Sequence, residues 1–350
     1  MKRKQIIDFL TIVLFFGVLL SLTVYIGIGA FIDSREEHEK SESELFARAY
    51  YEDKNLNYFI RYVDYKIFRH TDAKNVLIGK DGWIFETFKD ENRYNYLLDH
   101  IGGASFSPEE LERVKTNIEN EREYYEGLGI DYIVAVIPNS MTVCEDKLPR
   151  FLGARSENTR LSLLSGYLSD NKEYIDTTEC LKELSAFEMP YNNTEDSINA
   201  YGAYSVYSAV MERINESTDL HVDFLRYEDI SFSIRMTDGK IAAMNAGLES
   251  VVQNRTVSLT DEMTDGYEMV DRRWNCFTTQ RKNSDGKTPT LLIRFSNDWD
   301  RIQMMPLFSN TFDKVFYEGG GVNVASAVEK HSPDIVVRMI RESELEALLK

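Results

Sequence analysis

Ser296 closes the apolar run Leu291-Leu292-Ile293-Arg294-Phe295 and is followed by Asn297 and Asp298. In open α/β sheets the site lies just past the carboxyl ends of the strands, so this hydroxyl is the first candidate nucleophile. Two other segments share that placement: Pro138-Asn139-Ser140, directly after Tyr132–Ile137, and the stretch from Glu195 to Gly202. A serine is nucleophilic near neutral pH only beside a base; without one, Ser296 starts a helix or fills a turn. Glu195 and Asp196 offer carboxylates, which match a serine hydroxyl poorly unless their pKa is raised. Of the histidines, His331 precedes Ser332-Pro333 at the start of a strand, the end opposite the expected site. His221 stands at the edge of a turn-rich region. Cys144, Cys180 and Cys276 are odd in number and contain no CxxC spacing, so they indicate neither a disulfide framework nor a zinc site. No metal and no cofactor is expected.

The elements that must position these residues alternate. Val76-Leu77-Ile78 and Trp83-Ile84-Phe85 flank a glycine-bearing turn and read as a hairpin. Ser107-Pro108-Glu109-Glu110 opens a helix with a capping box, and Gly127 and Gly129 mark its end. Tyr132–Ile137, stopped by Pro138, is a strand buried on both faces. Helices are expected over Asn158–Leu168 and from Asn199 to Ile214, with a short strand at Tyr174-Ile175 between them. From His221 to Gly286 the pattern becomes short and turn-punctuated, an irregular insertion with hairpins. Strands resume at Thr290–Phe295, Lys314–Tyr317 and Asp334–Arg338, with a closing helix through Leu349. This alternation predicts a three-layer α/β domain with a parallel sheet flanked by helices.

Phe9–Ile32 carries no charged residue and is longer than the apolar region of a signal peptide. It is therefore expected to be one transmembrane helix. Lys2, Arg3 and Lys4 before it, against Asp33, Glu36 and Glu37 after it, place a tail at 1–8 in the cytoplasm and the remainder outside the cell membrane. An acidic and aromatic stalk follows at 33–74, and the α/β domain occupies 75–350 with its insertion at about 221–286. The formal net charge of −18 disfavours nucleic acid as a partner, since phosphate binding needs clustered Lys and Arg.

The ordered set Leu77–Phe85, Val136-Ile137-Pro138-Asn139, Leu148-Pro149, Asn199-Ala200-Tyr201-Gly202-Ala203 and Leu291–Ser296 resembles the DHHW and AlgX/AlgJ-like branch of the SGNH hydrolases. The resemblance runs from about Asn75 to Leu349. It implies an SGNH-hydrolase-like, flavodoxin-like sheet and a role in O-acetylation of cell-envelope or extracellular polysaccharide, with a membrane-bound O-acyltransferase as partner. It also implies an Asp-x-His-Trp-Asn segment upstream of the serine. Here that segment reads Glu195-Asp196-Ser197-Ile198-Asn199, so Glu195 takes the Asp position and Ser197 the His position. Ser296 keeps the serine position with both neighbours changed, and Asn139, Asn199 and Asn297 are the implied substrate-binding positions. Loss of the imidazole removes several orders of magnitude in rate from such a unit. The expected function is a catalytically impaired glycan-binding or scaffold module. The alternatives are an active serine acetylesterase or O-acetyltransferase with a non-standard base, and a structural or sensory exterior domain.

Overall fold

The computed structural model describes residues 54–90, 94–273, 276–284, 286–296, 298–319 and 324–350, with isolated positions between 16 and 24. The chain divides into two units, Met1–Thr71 and Asp72–Lys350. The expected span at 9–32 lies outside the described residues except at those isolated positions. Among the described residues no helix is long and apolar enough to cross a membrane. The expectation of a single-pass chain with an exterior domain is corrected accordingly: an uncharged run in the sequence is not matched by a described helix able to cover about 30 Å of hydrocarbon.

In the first unit the aromatic-rich segment forms a helix, Lys54–Val63, that widens into a π-helical turn at Asp64–Phe68. Arg69, with φ of 53°, ends it. Tyr58 and Tyr62 lie one turn apart and stack at 6.4 Å.

The second unit opens with a hairpin of β1 (Val76–Ile78) and β2 (Ile84–Glu86). Asp81 and Gly82 both take positive φ, 54° and 83°, the pair that a tight hairpin turn requires. Gly79 answers a different need, because a Cβ there would stand 2.6 Å from the Lys147 carbonyl oxygen. A second short pair, β3 (Phe88–Asp90) and β4 (Tyr94–Asn95), follows. Next comes the helix Pro108–Glu126, whose Ser107 and Glu110 form the expected capping box. Strand β5 (Asp131–Ile137), helix Arg160–Tyr167, β6 (Tyr174–Asp176), helix Thr178–Ser185 and helix Ala200–Ser217 continue the alternation.

β7 (Phe232–Asp238) and β8 (Gln253–Leu259) pair only with each other, with helix Ile241–Asn245 between them. β9 (Tyr267–Arg273), β10 (Cys276–Arg281), β11 (Thr290–Phe295), β12 (Lys314–Glu318) and β13 (Ile335–Arg341) complete the strands. Helices Asp298–Thr311 and Val324–His331 flank β12 in the chain.

Seven strands form the central sheet in the order β6-β5-β13-β11-β12-β10-β9. From β6 to β12 all neighbours are parallel; β10 and β9 join antiparallel. The expected insertion at 221–286 is therefore only partly an insertion, since β10 continues the main sheet along β12. The flavodoxin-like order is also corrected. Counting the parallel strands alone, the order is 2-1-5-3-4, with the last strand central, in place of 2-1-3-4-5. The composition of β13 suits that place: Ile335, Val337 and Met339 pack on one face, Val336 and Ile340 on the other. The expected closing helix through Leu349 is present as a 3-10 helix, Glu342–Leu349.

Candidate functional site

The carboxyl ends of β5, β13 and β11 lie side by side, and each hands the chain to a polar residue. β11 ends at Ser296, whose backbone N–H donates to Met339 O at 3.1 Å and whose Oγ accepts the backbone N–H of Arg341 at 2.9 Å. β13 ends at Arg341, one of the most deeply buried large side chains of the protein, 1% exposed. Its guanidinium Nη2 reaches Asp196 Oδ2 at 2.5 Å and also donates to the Asp196 carbonyl oxygen, while Nη1 lies 3.4 Å from Asp300 Oδ2. β5 leads into Asn139 and Ser140, and the Ser140 N–H donates to Asp196 Oδ1 at 2.6 Å. Both carboxylate oxygens of Asp196 thus have a donor.

Helix Ala200–Ser217 sets the acidic segment in place. Asn199 caps it: Oδ1 accepts from the N–H groups of Tyr201 and Gly202 at 2.9 and 3.2 Å, and Nδ2 donates to Met189 O at 2.7 Å. The Asn199 N–H donates to Pro190 O at 2.9 Å. A Cβ on Gly202 would stand 2.3 Å from that same oxygen, so glycine is what lets the helix start this close. The loosely matched Gly239–Ala242 segment docks here too, with the Lys240 and Ala242 N–H groups donating to Thr194 Oγ1 and O.

Glu195 and Ser197 come together, since the Ser197 hydroxyl donates to the Glu195 carboxylate and Asn192 Nδ2 donates to its Oε1 at 2.6 Å. Burial pushes Glu195 above the usual carboxylate range. Asn139 is buried, with its N–H on Glu342 Oε2 at 2.8 Å. Asn297 lies outside the described residues. Among the described residues no imidazole and no carboxylate hydrogen-bonds to Ser296 Oγ. His221 lies past the far end of the Ala200–Ser217 helix, which is about 27 Å long with its N-terminus at the site; the adjoining Val222 pairs with Asn215 in the helix's last turn. His331 is nearer the carboxyl ends than its position before β13 indicates: its Nε2 stands 3.6 Å from Glu318, the last residue of β12, and its ring stacks on Phe316 at 4.0 Å.

Several residues of the site carry no signal in the sequence pattern. Glu86, at the end of β2, accepts the Asp196 backbone N–H, and burial, followed by the charge of Asp196, raises it to about 7. Glu342 accepts from Asn139 N–H, from Thr142 Oγ1 at 2.7 Å and from Arg155 Nη2 at 2.9 Å. Its burial outweighs the pull of Arg155 and raises it to about 7. His100, buried, is pushed below the usual histidine range by desolvation. Arg341 and Asp300 could have been flagged only as charges adjoining apolar runs. Chemically, the arrangement holds the post-β5 loop and the acidic segment rigid around one guanidinium, and leaves the serine hydroxyl accepting a main-chain hydrogen bond.

No family model and no curated protein sequence matches the chain. Among solved structures it is similar in fold to PatB1 of Bacillus cereus with a sulfonyl adduct, at TM-score 0.55 and 12% identity over 77% of this chain and 97% of that one. It is similar to a DHHW family protein from Eubacterium siraeum, at TM-score 0.52 and 10% identity over 78% and 97%. AlgX of Pseudomonas aeruginosa is similar at TM-score 0.50 and 13% identity, over 78% of this chain and 65% of that one. The resemblance to the DHHW and AlgX branch is thus present in three dimensions, as a likeness of fold.

Proposed function

We propose that this protein is a glycan-binding or scaffold module associated with O-acetylation of cell-envelope polysaccharide or exopolysaccharide, on an SGNH-hydrolase-like fold whose serine has no base. The single observation that carries this reading is the use of Asp196. Asp196 is held by the Ser140 N–H on one oxygen and the buried Arg341 guanidinium on the other, and it is not hydrogen-bonded to the Ser296 hydroxyl, which a general base must reach. The replacement of the implied histidine by Ser197 supports it, as do the order of the DHHW-like segments and the fold. Its partners are a cell-envelope polysaccharide and an O-acyltransferase.

The test incubates the full chain with an O-acetylated and a deacetylated cell-envelope polysaccharide, following retention by affinity electrophoresis and acetate by a coupled assay. The expected result is retention, equal in Ser296→Ala, with no acetate released above background. Serine-dependent acetate release would install the second reading, an acetylesterase or O-acetyltransferase with Glu195 or Asp196 as base; it is supported by the partly exposed Ser296 at a strand's carboxyl end. Neither retention nor release would leave a structural or sensory domain.

A further inference from the structure

β11 and β13 place Arg294 and Arg338 directly opposite each other, and β12 places Glu318 opposite Arg294 on the other side. Residues paired across strands point to one face, so the three form a row. It is the face of Leu292, Val336 and Ile340, whereas Arg341 alternates with Ile340 and points to the other.

Two guanidiniums side by side repel unless each has an acceptor. Arg338 has several. Its Nη1 donates to both Glu121 oxygens, at 2.9 and 3.0 Å, and its Nη2 to Ala347 O at 3.2 Å. Glu318, the natural partner for Arg294, is engaged elsewhere: the Cys276 thiol donates to its Oε2 at 2.9 Å, and His331 faces its Oε1. Arg294 is partly buried, and among the described residues its guanidinium has neither a hydrogen bond nor an ion pair. Its burial, and then Arg338, lower its affinity for its own proton, against the pull of Tyr125, Glu121 and Tyr132 nearby.

We propose that Arg294 anchors a binding site for one carboxylate on this face of the sheet. The guanidinium fork matches the two oxygens of a planar carboxylate, and its donors are unused. Glu121 and Glu318 flank the position, so a dianion such as phosphate meets two carboxylates there, whereas a monoanion meets less repulsion. The carboxylate is that of a small organic acid or of a uronic acid residue. The site is independent of how Ser296 is read.

Isothermal titration of the full chain with sodium acetate, sodium glucuronate and sodium phosphate, at one ionic strength held with sodium chloride, tests the proposal. Saturable binding of one equivalent of acetate or glucuronate is expected, and the tighter of the two identifies the source. Arg294→Gln weakens it at least about tenfold. Arg294→Lys, which keeps the charge and the fold but loses the fork, also weakens it severalfold. The proposal is overturned by absence of saturable carboxylate binding, by unchanged affinity in both variants, or by tighter binding of phosphate.

Discussion

Arg341→Met removes the buried cation that faces Asp196 and Asp300. The three side chains are 1–7% exposed, and the guanidinium nitrogens stand 2.5 and 3.4 Å from the two carboxylates. Methionine fills similar volume, so the cost is electrostatic. Breaking a buried pair by deleting one partner costs roughly 3–5 kcal/mol, and loss of the guanidinium from two buried carboxylates puts this variant near the upper end. For a domain of this size that is a fall of roughly 8–20 °C in Tm. The Asp196 side of the loss also frees the Ser140 loop, so the damage should centre on the carboxyl ends of β5 and β13. The assay is urea unfolding of the full chain, monitored by tryptophan fluorescence, for wild type, Arg341→Met and the triple variant that adds Asp196→Asn and Asp300→Asn. The triple variant carries no stranded charge, and the amide oxygen that Asp196→Asn introduces can still accept the Ser140 N–H, so about half or more of the loss should return. If Arg341→Met stays within about 1 kcal/mol of wild type, or if the triple variant is no better than the single, the buried ion cluster does not hold this site together.

The pH dependence of stability should trace to Glu342 and Glu86. Both are raised from 4.5 to about 7 in the folded state, chiefly by burial. A raised carboxylate holds a proton that the unfolded chain has released, so its contribution is complete below about pH 4.5 and is lost as pH rises through about 7. About 2.5 units correspond to about 3 kcal/mol per group. Chemical unfolding of Glu342→Gln between about pH 5 and 8 should therefore show a shallower fall of stability with rising pH than wild type, with Glu86, Glu195 and His100 keeping their own contributions; an unchanged slope contradicts the assignment. Gly202→Ala drives a methyl against Pro190 O, 2.3 Å away, and should cost roughly 1–3 kcal/mol by the same assay although alanine is the better helix former. A stabilised Gly202→Ala would mean that the helix start is not packed as described. Asn199→Ala, which leaves Tyr201 and Gly202 N–H without their cap, should cost about 1 kcal/mol or more by thermal unfolding.

Much of this fold is written in local chemistry. Ser107 and Glu110 announce a helix because both halves of a capping box lie within one turn of chain, and β5 announces itself because a strand buried on both faces must be continuously apolar. The sheet order is not local: nothing near Ile335 tells that β13 will sit between β5 and β11. The apolar pattern ends the same strand at Arg338, because a charge usually marks the end of a buried run. Arg338 in fact continues it, its charge met by Glu121 from another element. Arg341 and Glu342 escape the pattern for that reason, and Arg341 gathers Asp196 and Asp300 only after distant segments fold together. The uncharged stretch at 9–32 suggests a span, and among the described residues no helix is long and apolar enough to be one. The site positions come partly from spacing, as Ser296 does, and partly from the family resemblance. The cap role of Asn199 is visible only once the helix start is seen.

The central claim is that Ser296 sits at the expected place without a base to activate it. Treating the full chain with a fluorophosphonate, which reacts with activated serines, and reading the intact mass and peptide map reports on that claim directly. The account predicts no adduct at Ser296 and the same background labelling in wild type and Ser296→Ala. A stoichiometric adduct at Ser296, absent from the alanine variant, would contradict it and show that a base reaches the hydroxyl.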